Sequence, residues 1–163
     1  MPENRSEPRW LDAAQQHHWR AYLVGTTLLM DQLDRDLRER HQLSLAEYEV
    51  LVRLSEAAEH RVRMAVLAAS LSHSRSRVTH TVGRLEAAGL VRRQACLSDG
   101  RGVEAVLTEE GLRRLEEAAP SHVSAVRDLL VDVASAEDLA AVGRVFDAVS
   151  DRLVSGSPEV DIR

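Results

Sequence analysis

The sequence has no lysine and only one cysteine, Cys96. A single cysteine excludes a disulfide within the chain and fits a reducing compartment. No stretch approaches the roughly 18 consecutive apolar residues of a membrane span. The polar, charged start over 1–9 does not resemble a signal peptide. We therefore expect a cytoplasmic protein that makes no membrane contact.

Common enzyme motifs are also missing from the sequence. It contains no HExxH metal motif, no P-loop and no GxSxG nucleophile elbow, and its histidines have no recognisable metal spacing. His73 and His80 are seven residues apart, whereas a metal pair on a helix prefers closer spacing. Cys96 has no second cysteine to resolve an oxidised form, which favours an inert thiol. We expect no catalytic residue, no metal and no cofactor.

Charge is distributed unevenly along the chain. The overall net charge of −5 by itself disfavours binding to nucleic acid, because phosphate contacts need a positive surface. The segment 60–101, however, contains eight arginines and two acidic residues, so it carries +6 and the remainder −11. Because the chain has no lysine, its basic side chains apart from histidine are all arginines. The arginine guanidinium suits bidentate contacts to phosphate and guanine. The separation predicts one basic functional face on an acidic body.

The first half of the chain shows helical apolar periodicity. One helix is predicted over 11–40, and a second begins at a capping box formed by Ser44 and Glu47. A short extended link over 60–63 then leads to a compact third helix over 64–71. A fourth helix is expected to follow almost immediately.

The basic segment ends in this fourth helix and a hairpin. Ser74 is placed to cap the helix, and Gly89 to end it in the left-handed conformation. Strands over 90–97 and 103–107 follow, joined by turn chemistry at Asp99-Gly100. The apolar stripe of the helix, spaced by four, three and three residues, consists of Val78, Val82, Leu85 and Ala88.

Two further helices complete the prediction. The fifth covers 112–134 and is interrupted or bent at Pro120. A capping box of Ser135 and Asp138 opens the sixth, which carries a heptad-like seam for packing against other helices. The seam consists of Leu139, Val142, Phe146, Val149 and Leu153.

Helix, short helix, longer helix and hairpin in succession is the order of a winged helix-turn-helix. In this motif one helix enters the roughly 12 Å wide major groove, and the hairpin reaches the adjacent backbone or minor groove. The predicted fold is mainly α with a small β-hairpin, a winged helix-turn-helix domain plus N- and C-terminal dimerisation helices. We assign 1–43 to the N-terminal segment and first dimerisation helix, 44–111 to the DNA-binding domain, 112–155 to the C-terminal dimerisation helices and 156–163 to a flexible tail.

If the stripe of the fourth helix faces inward, the polar residues near its start face outward. Arg84 is an exception, because its late position allows an internal ion pair or a phosphate contact equally. The predicted contacts to double-stranded DNA are Ser74, Arg75, Ser76, Arg77, Thr79 and His80 on the helix, and Arg92, Arg93 and Arg101 on the hairpin.

Two motifs in the basic segment resemble the multiple antibiotic resistance (MarR) family of regulators. The stretch from Asp99-Gly100-Arg101 to Leu107-Thr108-Glu109-Glu110-Gly111 is similar to the family's wing pattern D-x-R, five residues, L-T-x-x-G. The preceding stretch 84–93 is similar to its pattern R-L-E-x-x-G-L-[VI]-x-R. Together with 64–71, the resemblance covers about a quarter of the chain.

The resemblance implies that Arg101 at the wing tip enters the minor groove and that Asp99 orients the wing. It places the predicted contacts of the fourth helix at the family's recognition positions. It also implies a homodimer joined through the first, fifth and sixth helices. Repression of transcription, with DNA affinity controlled by a small phenolic or other lipophilic anion, is the function that the resemblance favours.

An aromatic group near the N-terminus is a candidate for an effector cleft. His18 and Trp19 lie beside Tyr22, where a small aromatic or anionic effector finds both ring surface and a titratable nitrogen. Packing in the core or interface is the safer interpretation of Trp19 and Tyr22.

Two other functions stay open: a helical ligand-binding or protein-interaction dimer that does not bind DNA, and an enzyme. Salt-sensitive binding to duplex DNA discriminates against the first.

Overall fold

The computed structural model describes residues 8–96 and 102–154. Asp99 and Arg101 at the predicted wing tip, and the predicted tail 156–163, lie outside the described residues. The helices are α1 (Ala13–His41), α2 (Leu45–Glu56), α3 (Met64–Ser70), α4 (Arg75–Ala87), α5 (Glu109–Val126) and α6 (Ala136–Val154). The strands are β1 (Arg61–Arg63), β2 (Val91–Ala95) and β3 (Val103–Leu107). The mainly α fold class with a small sheet is confirmed.

The sheet has one strand more than the predicted hairpin. Its order is β1-β3-β2, and both pairings are antiparallel. The predicted extended link is therefore only partly right: a 3₁₀ turn covers Ala58–His60, and Arg61–Arg63 pairs with β3, with Arg61 opposite Val106. Pairing satisfies backbone groups that an isolated extended link would leave to water.

Capping side chains start α2 and α4 where the sequence predicted, whereas α5 begins at Glu109, three residues before its predicted start. Glu47 and Ser44 form a complete capping box at α2, and Ser74 caps α4 through the backbone N–H of Arg77. Thr108 caps α5 by accepting from the N–H of Gly111. Gly89, just beyond α4, has a φ of 75°, a left-handed conformation that glycine adopts without penalty.

The core lies where α2, α3 and α4 pack against the sheet. Three of the four predicted α4 stripe residues are buried, but Ala88 is exposed because it falls at the C-cap, where the helix ends. Thr81 is buried on α4 instead, and on α2 Val50 is buried whereas Val52 is half-buried. Leu37 of α1 and Leu115 and Ala118 of α5 complete the same core.

Gly111 lies at a close contact between the sheet and α5. A Cβ atom added there would be 2.1 Å from the carbonyl oxygen of Leu90. That carbonyl also accepts from the N–H and the hydroxyl of Thr108, at 3.1 and 3.0 Å. The wing and α5 are therefore joined through backbone atoms.

Of the two predicted effects of Pro120, the interruption is wrong, since α5 continues through it, and the bend stays a prediction. Pro120 is exposed, and so is Glu116, so water can satisfy the carbonyl that loses its donor. The departure from α geometry comes later, as a π-helical turn over Arg127–Val131.

Apolar side chains of α1, α5 and α6 face outward in the single chain. Among the described residues, no helix is long and apolar enough to cross a membrane. Tyr22 of α1 contacts Phe146 of α6, with ring centroids 5.3 Å apart. Exposed apolar residues on these helices include Trp19, Leu23, Leu28, Val123, Val142, Val145, Phe146, Val149 and Leu153.

Candidate nucleic-acid interface

The start of α4 is a polar, cationic surface. Val78, Val82 and Leu85 are buried against the core, which turns the opposite side of the helix to solvent. The first turn contains no acidic residue, and its free N–H groups favour a negatively charged ligand. All six predicted contacts of this region are exposed: Ser74, Arg75, Ser76, Arg77, Thr79 and His80.

Three hydroxyl groups on this surface already have hydrogen-bond partners. The Thr79 hydroxyl donates to the carbonyl of Arg75 at 2.8 Å, and the Ser74 and Ser76 hydroxyls lie 3.1 Å apart. Ser74 Oγ also accepts from the N–H of Arg77 at 3.3 Å. Among the described residues, the guanidinium groups of Arg75 and Arg77 have no recorded hydrogen bond or ion pair. These two cations are the groups best placed to bind phosphate or a guanine edge.

The arginines of β2 have different surroundings. Arg92 is exposed, and its Nη1 donates to Gln94 Oε1 at 2.5 Å. Arg93 instead binds Glu86 of α4: Nε and Nη2 lie 2.8 and 2.5 Å from Oε2, and its N–H donates to Oε1. Hydrogen bonds from Arg93 lower the pKa of the Glu86 carboxyl. Arg93 therefore connects the wing to α4, and its contact with DNA stays a prediction.

Arg84 forms the internal ion pair that was one of its two predicted roles, and its phosphate contact stays a prediction. Its Nε lies 2.9 Å from Oε1 of Glu47, at the start of α2. The capping box identified Glu47 from sequence, but nothing local indicated that its second oxygen binds a side chain 37 residues away. Glu47 and its neighbour Asp34 are the functional candidates that sequence reasoning missed.

Two histidines lie near the exposed start of α4, His73 just before the helix and His80 on its outer face. His73 and His80 line a cleft of about 500 Å³ between α1, α2 and α4. Burial, and then the charge of Arg77, lower the pKa of His73. Among the described residues, no group of three or more histidine, cysteine or acidic side chains is arranged to hold a metal ion.

The predicted effector residues lie on α1. Trp19 stacks on Tyr22 with ring centroids 5.6 Å apart, and His18 packs edge-on against His17. This group faces α6 through Phe146. A separate cavity of about 420 Å³ lies between α1, α2 and α5, beside Tyr48 and His122, whose rings are 4.4 Å apart. None of Trp19, Tyr22 and His18 lines this cavity, so the chain offers two separate places for an effector.

Comparison with known proteins agrees with this architecture. The sequence pattern of the MarR family matches residues 41–102. The chain is 29% identical over 113 residues to the HTH-type transcriptional regulator PecS of Dickeya dadantii, covering 66% of this chain and 68% of PecS.

Two solved structures from Streptomyces coelicolor are similar over nearly the whole chain. AbsC, a MarR family transcriptional regulator, is 40% identical, with a TM-score of 0.86 over 91% of this chain and 99% of AbsC. Sco3205, a MarR family transcriptional regulator solved in complex with DNA, is 42% identical to this chain. The match has a TM-score of 0.87 and covers 90% of this chain and 92% of the Sco3205 chain. The chain therefore belongs to the MarR family of winged-helix transcriptional regulators.

Proposed function

We propose that this protein is a homodimeric repressor that binds a pseudo-palindromic operator and leaves it when a small-molecule effector binds. The observation that carries the proposal is the exposed start of α4. It combines two unpaired guanidinium groups, Arg75 and Arg77, with a helix N-terminus free of acidic side chains. A surface of this kind fits the major groove of duplex DNA. In this proposal the protein has no catalytic role, and because its target is genomic DNA it acts in the cytoplasm.

The α4 helix and the wing have different tasks in this proposal. Arg75, Arg77 and His80 face base edges in the major groove, while Ser74 and Ser76 bind phosphate beside the helix N-terminus. Arg92 and Arg101 contact the backbone or minor groove, with Asp99 orienting the wing. Arg93, held by Glu86, fixes the wing against α4.

The exposed apolar residues of α1, α5 and α6 support a two-fold dimer. Phe146 and Val149 on α6 remain 39% and 43% exposed in the single chain. Together with the other exposed apolar residues of these helices they form an apolar surface, and such a surface on a protein marks a site of association. A two-fold dimer presents two α4 helices to half-sites about one helical turn, roughly 34 Å, apart.

For the effector we propose a small aromatic or anionic compound. The stacked pair Trp19 and Tyr22, with His18 nearby, offers ring surface and an imidazole. The cavity beside Tyr48 and His122 is a second candidate, favoured by its position between α1, α2 and α5, where a bound compound would contact all three helices. A compound at either place releases DNA only if it binds the DNA-incompetent form more tightly.

Selection from a pool of random duplexes tests the DNA proposal. The wild-type protein is expected to enrich a pseudo-palindrome, and its affinity for that duplex is expected to fall steeply with salt. The double variant Arg75→Ala/Arg77→Ala should lose the selected preference. Arg113→Ala, which removes an exposed arginine of α5, is the matched control and should retain it. Enrichment of no common sequence by the wild-type protein would contradict the proposal and favour a dimer that does not bind DNA.

A compound screen tests the two effector locations. Compounds are scored by release of the selected duplex and by quenching of tryptophan fluorescence. Trp19→Ala should abolish release if the aromatic group binds the compound, whereas His122→Ala should abolish it if the cavity does. Release that survives both substitutions rules out both locations.

A further inference from the structure

One carboxylate at the start of α2 serves two elements at once. Glu47 Oε2 accepts hydrogen bonds from the backbone N–H and the hydroxyl of Ser44, both at 2.7 Å. Its other oxygen, Oε1, accepts from Nε of Arg84 at 2.9 Å. The Glu47 side chain is only 14% exposed, so the group that caps α2 also holds α4 from a sheltered position.

A second carboxylate ties α1 to the same place. Asp34 Oδ1 accepts from the N–H of Leu45, the first residue of α2, at 2.8 Å. Its Oδ2 accepts from Nε of Arg38 at 2.6 Å. Burial alone raises the pKa of Glu47 and of Asp34, but hydrogen bonds and nearby arginines, Arg84 included, lower both overall. Both carboxylates are thus held in their charged form.

These contacts join three helices with different roles. The α1 helix carries part of the proposed dimer surface, and α4 carries the proposed base contacts. Each packs against α2, so α2 transmits the orientation of one to the other. Arg84 lies in the last turn of α4, whereas Arg75 and Arg77 lie in the first, roughly 10 to 14 Å away at 1.5 Å per residue. A small rotation at Arg84 therefore displaces the base-contacting end.

We propose that Glu47 is a positioning residue: by holding Arg84 it sets the orientation of α4 relative to α1, and thereby the half-site spacing that the dimer accepts. This inference rests on the proposed function, because it requires sequence-specific binding by a dimer. It differs from a purely stabilising ion pair, which would leave the choice among duplexes unchanged. It also differs from a phosphate contact by Arg84, which would act on all duplexes alike.

The test compares two duplexes, the one selected by the wild-type protein and the same duplex with one base pair inserted at its centre. Glu47→Gln keeps an amide oxygen for the cap but removes the charge that holds Arg84. Loss of a partly exposed ion pair changes an equilibrium by roughly two- to fivefold. We expect the preference for the original spacing to fall by about that factor in Glu47→Gln. Glu110→Gln removes an exposed, arginine-paired carboxylate of α5 and should keep the wild-type preference.

A double-mutant cycle separates the interpretations. Arg84→Gln alone, and the double variant with Glu47→Gln, should lose the same fraction of spacing preference as Glu47→Gln, because each breaks one shared contact. Should Glu47→Gln fail to fold, Arg84→Gln carries the test, since its side chain is 46% exposed.

Several results would overturn the inference. One is an unchanged spacing preference in Arg84→Gln, with or without a lower melting temperature. Another is equal weakening on selected and random duplexes with a shallower salt dependence, which would make Arg84 a phosphate contact. If the wild-type protein itself shows no sequence preference, the proposed function fails and the positioning role fails with it.

Discussion

At the scale of single residues, Gly111 leaves no room for an added methyl group. Its Cβ would lie 2.1 Å from the Leu90 carbonyl oxygen, and that oxygen belongs to backbone that is held by Thr108. We expect Gly111→Ala to lower the free energy of unfolding by about 1–3 kcal/mol through overpacking. Urea unfolding measures the change.

Gly83 of α4 provides the matched control. Nothing lies within 4 Å of an added Cβ there, and its φ is ordinary for a helix. Because alanine costs less backbone entropy than glycine in a helix, Gly83→Ala should raise stability by about 0.5–1 kcal/mol. Equal effects from the two substitutions would show that the contact at Gly111 is not as close as described.

His122 predicts a pH dependence of stability. Burial lowers its pKa, and its Nδ1 is buried without a hydrogen-bond partner. Below about pH 6.5 the unfolded chain takes up a proton that the folded state resists, so stability falls as the pH decreases. His122→Gln should flatten the fall in unfolding free energy between pH 7 and 5.5, with His73 accounting for part of the remainder.

The control for this prediction is His80→Gln, at an exposed position on α4. It should keep the wild-type slope of stability against pH. A slope that is the same in His122→Gln as in the wild type would mean that His122 is protonated equally easily in the folded and unfolded chain.

At the scale of elements, the wing and α4 should differ in what they contribute to binding. Arg101 is the proposed wing-tip contact to backbone or minor groove, where sequence information is sparse. We expect Arg101→Ala to weaken binding to selected and random duplexes alike, and to reduce the salt slope by about one for a lost phosphate contact.

Arg77→Ala should behave differently, because Arg77 lies on the proposed major-groove face. A bidentate contact to guanine contributes about 1–3 kcal/mol of discrimination, so its loss should relax preference at particular base pairs. Titrations on the selected duplex, its single-base variants and random duplex, each at several salt concentrations, measure both effects. Identical loss profiles for Arg101→Ala and Arg77→Ala would contradict the division between the two elements.

The elements that sequence predicted well are those fixed by local signals. Ser44 and Ser74 cap their helices through N–H groups three residues away, so the signal and its effect lie close together in sequence. The short strand β1 had no such signal, because only pairing with Val106 and its neighbours makes Arg61–Arg63 a strand.

The candidate site divides in the same way. The outward face of α4 followed from the buried stripe, and all six predicted residues there are exposed. The partners of its arginines could not be predicted, because Glu47 reaches Arg84 only after α2 and α4 have packed together. Pro120 shows the opposite case: its local signal allowed an interruption or a bend, and the helix is not interrupted where its outer side is exposed to water.

At the scale of the whole molecule, the apolar faces of α1, α5 and α6 predict that the protein is dimeric. Val149 of α6 is 43% exposed, and Val103 of β3 is 46% exposed. Val149→Glu would place an unpaired charge in the proposed interface, so we expect it to shift the protein to monomer. Light scattering at micromolar concentration measures the shift. Val103→Glu, with similar exposure on the wing, should remain dimeric, and a wild-type monomer that binds DNA normally would contradict the prediction.

The joint at Gly111 has a mechanical consequence. Backbone atoms lock the wing to α5, whereas polar side chains such as Glu47 add an ionic tie between α4 and the α1–α2 junction. A tilt of α5 is therefore transmitted directly to the wing, and the hydrogen bonds of Arg93 to Glu86 transmit it from the wing to α4. We expect the wing and the recognition helix to leave the DNA together, and stopped-flow measurements with one fluorophore on each element would detect this as a single rate or refute it with two.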